Sequence, residues 1–95
     1  MPVEDIFGKL AKKIITEQEG IIGPLAIEQA RKVPGLSVDW QKDHIVFEGN
    51  KTDVLEKLVE KYKDLFGQAS VEVCKDAVRG LIADLPKEQV PSLLR

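Results

Sequence analysis

This chain of 95 residues has one cysteine, one histidine, no large surplus of either charge and no long hydrophobic run. Each shortage closes off a class of function. Cys74 alone cannot form a disulfide within the chain or supply a cysteine-based zinc cluster, and His44 alone excludes a multi-histidine metal site. The 14 basic residues are set against 16 acidic ones, for a net charge of −2. Sequence-independent nucleic-acid binding needs an excess of cations to displace counterions, so nucleic acid is not an expected partner. No apolar run approaches the ~20 residues of a membrane span. The amino-terminal stretch carries acids first and has neither an apolar signal core nor a small-residue cleavage site. The expectation is a soluble, cytoplasmic protein with no cofactor, no metal and no membrane partner.

The chain is nevertheless 43% apolar, which is enough to build the core of one domain spanning residues 1–95. A chain this short buries only about two-thirds of its unfolded surface, so a net stability of roughly 5–10 kcal/mol or less is expected. Self-association would add to it.

The apolar residues are distributed with clear periods. Ile6, Phe7, Leu10, Ala11, Ile14 and Ile15 gather on one side of a helix predicted over about residues 4–18, with Lys9, Lys12, Lys13 and Glu17 opposite and Gly20 as its stop. Pro24 reads as the first residue of a second helix running to Lys32, which Val33-Pro34-Gly35 ends. The period then changes to two. Leu36, Val38 and Trp40, with Ile45 and Phe47, form the inner face of a predicted β-hairpin. Ser37, Asp39, His44, Val46 and Glu48 fall on the outer face.

Asn50 caps a third helix whose stripe is Val54, Leu55, Leu58, Val59, Tyr62, Leu65 and Phe66, closed by Gly67. A fourth helix, capped by Ser70, carries Cys74, Ala77, Val78, Leu81, Ile82 and Leu85 inward and ends at Pro86. The tail to Arg95 allows a short helical turn. The fold class expected is α+β in the order ααββαα, with the helices packed on one face of the hairpin. Gly8 and Gly80 stand inside helices at a cost of about 1 kcal/mol each relative to alanine, which is consistent equally with a close helix approach, a kink or a shifted helix boundary.

Catalysis needs a nucleophile or acid beside a base, and the inventory does not supply the pair. His44 reads as a solvated strand residue beside Asp43. Cys74 shares a helix face with Ala77, Leu81 and Leu85 and reads as a buried, inert thiol. The acids alternate with lysines, as in Glu56, Lys57, Glu60, Lys61, Lys63 and Asp64, which is the pattern of a solvated helix face. The chain is expected not to be an enzyme.

Two partial resemblances arise. Gly20-Ile21-Ile22-Gly23 between two helices, followed by a hairpin and a helix, resembles in outline a KH RNA-binding module, whose GxxG loop lets the backbone approach phosphates. Here Glu17 and Glu19 precede the loop, and its two central residues are isoleucines. Phosphate would meet carboxylates and apolar side chains. Residues 20–66 are similar to the helix, hairpin and helix of heavy-metal-associated domains, but the metal-binding cysteines are absent, so that family's function does not transfer.

The expected function is a small non-enzymatic protein-protein interaction or regulatory module, acting as a homodimer. A lone hairpin leaves two unpaired edges, which a second copy or an unidentified protein partner would cover. His44, Val46, Leu93 and Leu94 are the candidate interaction surface. The alternative is a carrier or sensor of a small apolar ligand, held in a pocket at Leu36, Val38 and Trp40. KH-like nucleic-acid binding ranks third.

Overall fold

A computed structural model describes residues 6–42, 44–83 and 85–94. Four helices and one hairpin follow in chain order: α1 (Ile6–Ile22), α2 (Leu25–Arg31), β1 (Leu36–Asp39), β2 (His44–Phe47), α3 (Lys51–Phe66) and α4 (Gln68–Ile82). Two 3-10 turns, Lys87–Gln89 and Ser92–Leu94, complete the chain. The fold is α+β, as the periodicities predict. α1 packs against β2 and α2 against β1.

The hairpin is antiparallel, with Leu36 opposite Phe47, Ser37 opposite Val46, Val38 opposite Ile45 and Asp39 opposite His44. This register puts Leu36, Val38, Ile45 and Phe47 on the helix side, and the outer face is exposed at every position from Ser37 to Glu48 named above. The Phe47 ring meets Phe7 of α1 edge-on, centroids 6.2 Å apart at 74°. Such a pair adds about 1 kcal/mol beyond its buried area and ties the sheet to the first helix.

One core joins all the elements. Leu10, Ile14 and Ile15 of α1 meet Leu55, Leu58 and Tyr62 of α3, and Val71, Cys74 and Val78 of α4 close it. α3 begins as the sequence predicts: the Asn50 side chain accepts a hydrogen bond from the Asp53 amide (3.1 Å).

Several boundaries depart from the reading. Gly20 does not stop α1, which continues to Ile22 because Ile22 still packs against the core. The positive φ that ends the helix falls on Gly23 (φ 69°), whose amide donates to the Glu19 carbonyl (2.9 Å). The supposed loop Gly20-Ile21-Ile22-Gly23 is therefore mostly helix, and the KH outline loses the feature that carried it. Pro24 caps α2 rather than opening it. α4 starts at Gln68, a single residue after α3, so Ser70 lies inside the helix and is buried instead of capping it. α4 also ends at Ile82, which leaves Leu85 beyond it. Nothing approaches within 4 Å of the Cβ positions of Gly8 or Gly80, so helix contact is not what places glycine there.

Candidate interaction surface

The hairpin presents its candidates as predicted in part. His44 and Val46 are exposed on the outer face. Val46 is 40% exposed, but its cross-strand neighbour is Ser37 and the nearby outer-face residues Asp39, His44 and Glu48 are polar. It is an isolated apolar side chain, and isolated ones are ordinary on a protein surface.

The tail departs from the expectation. Leu94 is 2% exposed and Leu93 is half-buried against the core, because the last turn folds back over α3 and α4. Thr52 Oγ1 donates to the Gln89 carbonyl (2.8 Å) and Ser92 Oγ bonds Glu56, which pins the tail to the outside of α3. These leucines pack on their own chain, and Leu94 is buried rather than presented at the surface. The apolar pocket expected at Leu36, Val38 and Trp40 is likewise occupied by packing. Leu36 is buried, and Val38 and Trp40 lie half-buried against the core.

An apolar surface does exist, at a place the sequence reading assigned to the core or to a loop. Leu65 and Phe66 are 47% and 43% exposed, and Ile21 is 62% exposed. Leu65 and Phe66 fall in the last turn of α3, and Ile21 falls in the last turn of α1. α3 finishes at Phe66, and α4 starts after the Gly67 elbow. The end of α1 is tied to the start of α4 by Gln18, whose Nε2 donates to the Ser70 carbonyl (3.2 Å). Leu65 and Phe66 continue the stripe of α3, yet that stripe runs past the point where neighbouring helices cover it. Ile21 also lines a shallow groove of about 440 Å³ between α1 and α4, whose walls carry Lys13, Glu17 and Asp76. Charges of both signs thus border the apolar end.

Beneath this end lies a buried polar cluster. The Tyr62 hydroxyl donates to the Ala26 carbonyl (2.7 Å), and Gln18 Nε2 also donates to Cys74 Sγ (3.5 Å). Burial pushes the Cys74 thiol up to about 11, against which the Gln18 bond is the smaller effect. Burial also raises the Tyr62 phenol, with the neighbouring Cys74 adding to the shift. A thiol so held stays protonated at neutral pH, the less reactive form. The reading of Cys74 as a buried residue holds. Among the described residues, no group of three His, Cys, Asp or Glu side chains could hold a metal ion.

Gln18 itself sits in the α1 stripe, one turn after Ile14, and is 1% exposed with its Oε1 unbonded among the described residues. A buried carbonyl oxygen without a partner costs about 1–3 kcal/mol, which outweighs the hydrogen bond from Nε2 to the Ser70 carbonyl and its long, weak contact with Cys74 Sγ. Gln18→Met keeps the length of the side chain and removes both atoms. It is expected to raise stability by about 1 kcal/mol in urea titration. A loss of stability would show that the amide is a net stabiliser.

Comparison with family models, with curated proteins and with solved structures finds no match. The surface is therefore interpreted from its own chemistry. No helix among the described residues is long and apolar enough to cross a membrane.

Proposed function

We propose that this protein is a non-enzymatic interaction module of the cytoplasm that acts as a homodimer through the apolar end formed by Ile21, Leu65 and Phe66. The observation that supports this reading is the exposure of Leu65 and Phe66, adjacent at the end of α3, together with that of Ile21 in the last turn of α1. Water-exposed apolar groups that cluster, rather than scatter, mark contact surfaces. A two-fold contact brings the same patch of each protomer together, so each copy's leucine and phenylalanine find apolar partners without any second protein. The mixed charges of the neighbouring groove suit the polar rim of such a contact. Covering this end also adds stability to a chain whose own core is small.

Light scattering on a sizing column at high micromolar concentration tests the reading. A particle of twice the protomer mass is expected. Leu65→Lys with Phe66→Lys is expected to weaken the dimer by at least about 30-fold, since central apolar contacts each carry roughly 2 kcal/mol or more. Both side chains are already substantially exposed, so the helical circular dichroism should be preserved. A monomeric wild type, or a double variant that dimerises as before, would overturn the proposal.

A further inference from the structure

A second feature lies at the opposite end of α4 and owes nothing to the dimer contact. After Ile82 the chain turns back, with the Leu85 amide donating to the Ile82 carbonyl (3.0 Å), and then passes through extended Pro86 into the first 3-10 turn. Between the end of α4 and this returning strap is a cleft of about 520 Å³, lined by Arg79, Ile82, Ala83, Leu85, Lys87 and Val90. Its size falls in the range of small-molecule sites. The lining divides by chemistry. Of the described lining residues, four are apolar and two are cationic, in a chain whose net charge is negative.

We propose that this cleft binds an amphipathic monocarboxylate, a medium-chain fatty acid lying over Ile82, Leu85 and Val90 with its carboxylate held by Arg79 and Lys87. Among the described lining residues the charged ones are both cations, and an apolar wall with cations fits a ligand that has an apolar body and one negative head. Arg79 already holds Asp76 (2.7 Å), but that pair is open to solvent and weak, and a guanidinium has five N–H donors to distribute. Lys87 has no carboxylate within ion-pair distance among the described residues. The negative end of the α4 dipole opposes a bound anion. That effect fades within the last turn and is smaller than one charge-assisted hydrogen bond. The strap is anchored on α3 through Gln89 and Ser92, so the cleft is formed before any ligand arrives.

Decanoate, kept below its micelle concentration, is the probe, with decanol as its neutral counterpart. Titration of the full chain followed by amide NMR is expected to show saturable one-to-one binding, with shifts centred on Ile82, Ala83, Leu85 and Lys87. Decanol is expected to bind at least about tenfold more weakly, and Arg79→Gln with Lys87→Gln to weaken decanoate about tenfold or more while leaving decanol unchanged. Shifts that never saturate, shifts centred elsewhere, or equal affinity for acid and alcohol would each overturn the assignment. None of these residues belongs to the Ile21, Leu65 and Phe66 surface, so this test and the dimer test fail independently.

Discussion

Gly35→Ala is expected to remove about 3 kcal/mol or more of stability, a large share of what a chain this size possesses. Gly35 holds φ at +83°, a conformation that costs an L-residue roughly 1–2 kcal/mol. A Cβ there would also lie 2.7 Å from the Glu48 carbonyl oxygen and 3.0 Å from Val54 Cγ2. The first of these is backbone and cannot swing aside. Its residue is already fixed to Gly35, because the Glu48 amide donates to the Gly35 carbonyl across the open end of the hairpin (2.7 Å). Relieving the clash means separating β1 from the end of β2 and lifting the hairpin from the first turn of α3. Overpacking of this kind adds about 1–3 kcal/mol to the strain. Gly49 and Gly67 also have positive φ, but nothing lies within 4 Å of their Cβ positions, so alanine there should cost only the backbone strain. Urea titration of the three variants checks the ranking. A loss below about 1 kcal/mol at Gly35 would show that the hairpin mouth is looser than this geometry requires.

Gly35 also illustrates what the sequence makes legible. The Val33-Pro34-Gly35 stop, the change to a period of two at Leu36 and the Asn50 cap are local signals, carried by residues within a few positions of the feature they specify. The hairpin register, the ends of α3 and the α+β class follow from them. Why Gly35 must be glycine is not local, since the clashing atoms belong to residues 48 and 54.

The same distinction explains the departures. Gly20 is a reasonable stop by propensity, but the packing of Ile22 carries α1 past it. Leu65 and Phe66 fit the apolar stripe of α3 as well as Leu58 does. Their exposure depends on where α1 and α2 end in space, which no period in α3 records. Leu94 reads as a surface residue because the tail has no helical pattern, yet the strap through Gln89 and Ser92 delivers it to the core. Gln18 was detectable. It occupies the stripe position after Ala11 and Ile14, and a polar residue on such a face signals a buried amide. The exposure of Val46 and His44 was thus legible, whereas exposure that depends on the relative lengths of helices was not.

The buried cluster beneath the apolar end predicts that this protein loses stability in alkali. Cys74 titrates at an ordinary 9.0 in the unfolded chain and at about 11 in the folded one. The Tyr62 phenol is raised above its ordinary 10.0 by the same burial. Below pH 9 both groups are protonated in both states, so stability does not depend on them. Above it the unfolded chain binds fewer protons than the folded one, and stability falls by about 1.4 kcal/mol per pH unit for each group in its window. Cys74 contributes between pH 9 and 11, and Tyr62 joins from pH 10 upward. The combined loss by pH 11 is about 4 kcal/mol, of the same order as the whole stability expected for 95 residues. Urea titrations from pH 8 to 11 should show a level plateau followed by this decline. Cys74→Ala should remove the part of the decline between pH 9 and 10, whereas Tyr62→Phe should leave that part and flatten the steeper fall above pH 10. Lysine deprotonation acts on all three proteins alike, so the differences between them isolate the cluster. A wild type whose stability is unchanged at pH 10.5, or a Cys74→Ala variant with the wild-type slope, would show that water reaches the thiol and that the core beneath Leu65 and Phe66 is open.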